Sequence, residues 1–186
     1  AALFRDGKRR SSIAQAAFHR VSDAEWKDRV FIQDLKVKSG KKYEIVEMGL
    51  QPGAKVFMDR EYTYSSMPPE VQGLTFIRTA NDDAGSSGNN LVQFEVNIPA
   101  TVYVAHDERV GKKPTWMSGY QRTDWVLNTS DVPFRLYRLD VPGGPVTLGG
   151  NVEAGSRSSM YQVLVQRPTA GGKVDAQSVH AILQSG

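Results

Sequence analysis

Asp107, Arg109, Trp116, Tyr120, Arg122 and Trp125 lie within one short stretch of the chain and combine planar rings with carboxylate and guanidinium groups. That mixture suits a sugar ligand. The flat C–H face of a pyranose stacks on an aromatic side chain, while its hydroxyls take charged or amide partners in fork geometry. Each residue also has a plainer role open to it. Trp116, between Pro114-Thr115 and Met117, could plug the core, and Trp125, preceded by Asp124, is the more exposed candidate. Asp107 and Arg109 are two apart, so on a strand they would share a face and could form a structural salt bridge.

Other chemistry finds less support. His19, His106 and His180 are far apart and none forms a local ligand pair. The chain has no HExxH or HxH pattern and no GxSxG elbow, and Gly143-Gly144 and Gly149-Gly150 lack the lysine and helix of a phosphate loop. The best catalytic constellation on offer is His106 with Asp107 and Asp59, and His106 fits a structural role better. The expectation is therefore no catalytic residue and no enzyme. Asn81-Asp82-Asp83 is an oxygen-rich turn that could take calcium, although two adjacent carboxylates supply only part of the six to eight oxygens such an ion wants. No cofactor is expected otherwise.

These groups belong to a chain of 186 residues, 40 % hydrophobic and 23 % charged, ordinary for one folded domain. No apolar run is long enough to span a bilayer. The absence of cysteine excludes disulfides, thiolate metal sites and a cysteine nucleophile. No signal-peptide pattern opens the numbered chain, so an exported protein would be represented by a mature chain or a fragment. The net charge of +3 resides wholly in residues 1–29, with seven Lys or Arg against four Asp or Glu, and the rest balances. A nucleic-acid binder would be expected to carry its basic face on the folded body, so no nucleic-acid partner is expected.

Residues 1–29 read as a basic, partly helical arm. Ser11-Ser12 can cap a helix running to Arg20, and Ser22 with Glu25 has capping-box spacing. From Val30 the period becomes two. In residues 91–98, Val92, Phe94, Val96 and Ile98 alternate with Gln93, Glu95 and Asn97, which predicts a strand with one wet face. Weaker alternation marks 30–37, 43–48, 55–58, 74–79, 101–106, 134–139, 145–149 and 160–166, separated by turn signals such as Gln51-Pro52-Gly53 and Pro142-Gly143-Gly144. Residues 81–90 and the stretch from Glu108 to Leu127 read as long loops, where binding on a rigid frame usually sits. The fold expected is all-β: an antiparallel, jelly-roll-like β-sandwich over 30–167, with a helical N-terminal arm and a linker and tail over 168–186.

An ordered series of short motifs carries a family resemblance across about residues 40–166. It comprises Asp59-Arg60-Glu61-Tyr62-Thr63, Ile77-Arg78-Thr79-Ala80-Asn81-Asp82-Asp83 and Val102-Tyr103-Val104-Ala105-His106-Asp107-Glu108-Arg109. Pro114-Thr115-Trp116-Met117, Phe134-Arg135-Leu136-Tyr137 and Val146-Thr147-Leu148-Gly149-Gly150-Asn151 complete it. The series resembles the non-catalytic, carbohydrate-binding-like β-sandwich modules appended to secreted bacterial polysaccharide lyases, glycoside hydrolases and other exported proteins. The resemblance implies a sandwich framework, a polysaccharide or oligosaccharide partner, and a secreted, periplasmic or cell-surface setting. This chain departs from the pattern after Trp116, where Thr123, Asp124 and Trp125 stand in place of a Thr-Gly pair. The alternative is a structural subunit of an extracytoplasmic complex that grips protein partners through residues 1–30 and 168–186.

Overall fold

The period-two stretches fold as strands. A computed structural model describes residues 4–5, 8–9, 29–153 and 158–168. Two-residue strands β1 (Phe4–Arg5) and β2 (Lys8–Arg9) pair with each other. The expected helix over 11–20 and the turn at 22–26 lie outside the described residues. The body follows with β3 (Ile32–Val37), β4 (Glu44–Val46), β5 (Tyr64–Ser66), β6 (Thr75–Arg78) and β7 (Val92–Val96). Then come β8 (Ala100–Asp107), β9 (Gln121–Thr129), β10 (Phe134–Val141), β11 (Gly144–Leu148) and β12 (Gln162–Gln166). Among the described residues the only helical pieces are single 3-10 turns at Pro69–Val71, Asn81–Asp83 and Thr115–Gly119.

The strands of the body form two antiparallel sheets, a seven-stranded one in the order β4-β6-β12-β8-β10-β9-β5 and a three-stranded one in the order β11-β7-β3. The chain crosses between them repeatedly, as jelly-roll-like wiring requires. Burial follows from this placement. β7 in the small sheet buries Val92, Phe94 and Val96 and exposes Gln93 and Glu95, whereas all eight residues of β8, central in the large sheet, are buried. A strand covered on both faces loses its alternation.

Cross-strand partners share a face, so the register maps the large sheet. Val102 and Val104 of β8 pair with Val165 and Val163 of β12 on the inner face, and all four are buried. The outer face carries Phe134 and Leu136 at one end, where residues 50–71 fold over it. There Phe57 stands edge-on to Phe134 at 6.4 Å and Tyr64 edge-on to Phe76 at 5.8 Å. At the other end the same face carries Tyr103, Arg138 and Gln121, partners in a single row across β8, β10 and β9.

Three expectations change. Residues 55–58 form no strand, since Val56 and Phe57 are apolar because they anchor the covering segment, which makes only isolated bridges at Lys55 and Phe57. The stretch from Glu108 to Leu127 is not loop throughout, because β9 begins at Gln121 and runs nine residues. The short strand β5 also stands where no strand was expected. β9 escapes a period-two reading because it bulges. Leu127 and Val126 face Phe134 and Arg135, but the next pairing is Arg122 with Tyr137. Thr123, Asp124 and Trp125 therefore share the space opposite Leu136, and the regular pairing is interrupted there.

The glycines at 149 and 150 have a packing role. Gly150 N donates to Gly88 O at 2.7 Å, and a β-carbon on Gly150 would overlap the backbone of Ser86 and Ser87. Gly150→Ala is expected to cost about 2 kcal/mol through overpacking against backbone that cannot give. Urea denaturation would show it as a lower midpoint at unchanged slope.

Candidate functional site

The six candidate residues separate into three places. Asp107 ends β8 with its side chain fully buried, and its carboxylate accepts from Arg109 N at 2.9 Å, Arg109 Nη2 at 2.7 Å and Ser159 N at 2.7 Å. The pairing arises in the turn beyond the strand: Asp107 Oδ1 accepts the amide two residues on, an Asx turn. Ser159 Oγ continues the network to Asp131 at 3.0 Å. Burial works to raise the pKa of Asp107, but the hydrogen bonds from Arg109 and Ser159 outweigh it and hold the carboxyl below its ordinary range. Arg109 remains half exposed, yet its guanidinium is committed to Asp107.

Trp116 and Tyr120 form the second place, within and just after the 3-10 turn Thr115–Gly119. Their rings meet edge-on at 5.8 Å, and Trp116 also packs against the buried Tyr161 at 5.6 Å. Trp116 Nε1 donates to Gly150 O at 2.8 Å, and Tyr161 OH donates to Gly149 O at 2.8 Å. Glu153 accepts from both the amide and the hydroxyl of Thr115, fixing the start of the turn. The indole is thus a plug with its polar handle satisfied. Burial pushes the Tyr120 hydroxyl well above the usual phenol range.

Trp125 is the third place. It is half-buried within the β9 bulge and leans over Tyr103, with ring centroids 5.8 Å apart, on the outer face of the large sheet. Arg122 pairs with Tyr137 on the opposite face, exposed and 4.0 Å from the fully exposed Asp124. The structure therefore joins Asp107 to Arg109 and Trp116 to Tyr120. It sets Trp125 on the other side of the sheet from Arg122.

The catalytic constellation does not assemble. His106 is fully buried, with Nε2 2.8 Å from Asn151 O and Nδ1 3.3 Å from Lys113 Nζ. A ring that donates to a carbonyl through Nε2 and accepts from an ammonium through Nδ1 has no lone pair left to take a substrate proton. Asn151 is a buried hub: its amide donates to Ala84 O and Ser158 Oγ, and its Oδ1 accepts from Tyr161 N. Asp59 accepts from the amides of Asn81 and Asp82 at 2.7 and 2.9 Å, capping the 3-10 turn there.

Burial, and then the charge of Lys113, depress the basicity of His106 below its usual value. The folded protein therefore resists protonation that the unfolded chain accepts. Stability is expected to fall as the pH drops below about 6.5, the ordinary histidine value. Urea midpoints at pH 7.5 and 5.0 check this, and His106→Gln should flatten the difference.

The oxygen-rich turn is likewise engaged. Asp82 pairs with Arg60 at 2.8 Å and Lys41 at 3.2 Å, and Asp83 Oδ2 accepts from Ser39 Oγ at 2.6 Å and Tyr43 OH at 2.9 Å. Arg60 first, then Lys41, hold Asp82 below the usual carboxylate range. Carboxylates already surrounded by cationic and hydroxyl donors do not fit the oxygen shell calcium needs. Among the described residues no three His, Asp or Glu side chains converge as metal ligands, and no helix is long and apolar enough to cross a membrane.

The architecture is that of an antiparallel β-sandwich. The chain matches no family model. It is 26 % identical over 117 residues to a beta-glucuronidase of Formosa agariphila, a match covering 61 % of this chain and 12 % of that protein. Among solved structures it resembles a beta-glucuronidase from glycoside hydrolase family 2, with a TM-score of 0.67 and 21 % identity over 74 % of this chain and 15 % of that one. The chain thus spans a small part of either enzyme, and the structural likeness is one of fold.

Proposed function

We propose that the sandwich is a non-catalytic, carbohydrate-associated module of an exported protein. The observation that carries this reading is the match to a limited segment of a beta-glucuronidase. The side chains agree with it. His106, Asp107 and Asp59, the groups best suited to proton transfer, are each held by internal hydrogen bonds. Trp125, by contrast, stands half-exposed on a rigid strand.

The other reading, a structural subunit that holds neighbouring proteins through residues 1–30 and 168–186, draws on segments that lie almost wholly outside the described residues. Isolation of the native protein separates the two. Recovery with a polysaccharide-active enzyme or on a polysaccharide matrix supports the module. Recovery only in a stoichiometric assembly that dissociates when both termini are removed supports the subunit.

A further inference from the structure

Three places outside the candidate network could do more than hold the fold: the open groove of about 400 Å³ lined by Phe31, Ile32, Gln33, Glu47 and Asn97, the Lys113 ammonium over Tyr137, and the uncovered end of the outer face. The groove is tied to the entering chain, since Asn97 bonds both Phe31 N and Arg29 O. Lys113 spends its hydrogen bonds on Val110 O, Asp107 O and His106. The outer face remains.

There the register sets two rows side by side. Leu164, Tyr103, Arg138 and Gln121 form one, and Gln166, Thr101 and Asp140 form the next. Trp125 projects over the first row from the bulge, a device that re-aims a side chain off the regular pleat. Tyr103 is the buried floor beneath it, its hydroxyl donating to Gln166 Oε1 at 2.9 Å, and Gln166 in turn bonds Glu70 O on the neighbouring 3-10 turn. In these same rows, Arg138 Nη2 donates to Asp140 Oδ2 at 2.9 Å, and Thr101 donates to Asp140 Oδ1 at 2.5 Å. The side chains of Arg138 and Asp140 stay 33 % and 20 % exposed.

We infer that this shelf, made of Trp125, Tyr103, Arg138, Asp140 and Gln121, is a binding site for a neutral pyranose of a polysaccharide. The inference rests on the carbohydrate reading and gives it a place and a sugar class. The indole offers a flat apolar surface that a ring's C–H face can cover. The ion pair offers donors and acceptors side by side at fixed spacing, which is what neighbouring hydroxyls require, because each can donate to the carboxylate and accept from the guanidinium. The same pairing argues against a uronate. Arg138 is already neutralised by Asp140, so a sugar carboxylate arriving there would meet an anion at close range with no unpaired cation to offset it.

The test is native affinity electrophoresis in gels containing a β-glucan, a galactomannan or, as the acidic arm, alginate. Trp125→Ala, Gln121→Ala and Asp140→Asn are compared with the unaltered protein, and thermal melts confirm that each variant is folded. Retardation by a neutral polysaccharide is expected, weakened about tenfold by Trp125→Ala, consistent with the loss of one aromatic stack. Gln121 is exposed, so Gln121→Ala cannot act through unfolding, and a weakening of several-fold is expected from it. Neutral-polysaccharide binding unchanged in all three variants would move the site elsewhere and leave the carbohydrate reading standing. Preference for alginate would overturn the sugar class. Retention by none of these or by a wider glycan panel would sink both the shelf and the reading beneath it.

Discussion

Replacing Asp107 with alanine is expected to cost about 3 kcal/mol at neutral pH, because it strands the buried Ser159 amide and the part-buried Arg109 amide without an acceptor. The carboxylate is fully buried and collects donors from β8's own turn and from the segment entering β12. Its removal therefore loosens two parts of the large sheet together. Asp107→Asn should cost about half as much, since one carbonyl oxygen remains to accept. The sign with pH follows from the lowered pKa of Asp107. The stabilisation is fully present above the ordinary aspartate value near 3.9, and it is lost as the pH falls through the lower folded value. Urea unfolding at pH 7 and pH 3 should show the unaltered protein losing more stability than Asp107→Asn. Equal losses would mean that Asp107 is not the group whose protonation weakens the fold.

Trp116→Ala is the second large effect, again about 3 kcal/mol, from lost packing against Tyr120 and Tyr161 and an unmet carbonyl at Gly150. Trp116→Phe keeps most of the packing and should cost about 1 kcal/mol, the value of the lost hydrogen bond. Neither change should alter polysaccharide retention once the variant is folded. A folded Trp116→Phe that loses retention would place sugar recognition in the 108–120 loop instead.

The two tryptophans show how far the sequence could be read. Both sit in a polar stretch, where Pro114-Thr115 and Met117 point to a plug at Trp116 and Asp124 points to a more exposed Trp125. Their difference comes from tertiary placement. Trp116 is turned against Tyr161 from β12's approach, while Trp125 is turned to Tyr103 by the bulge. The frame was more legible. β7 alternates because one face is wet, whereas the stretches of β8 and β12 alternate only weakly because both strands are buried on two sides. β9 was hidden by three residues opposing Leu136, and β5 by its brevity and two exposed serines.

At the site, the Asp107–Arg109 pair was readable from spacing, although it forms through a turn rather than along a strand. Tyr103, Arg138 and Asp140 carried no signal as a group. Residues some thirty-five positions apart meet only through the register of β8 with β10, and register cannot be taken from one chain.

The most direct measurement is to incubate the protein with a broad panel of neutral and acidic polysaccharides and record retention and the release of new reducing ends together. Retention on at least one polysaccharide with no release of reducing ends is the predicted result. Release of reducing ends that persists in purified protein, or no retention on any member of the panel, would contradict a non-catalytic carbohydrate module.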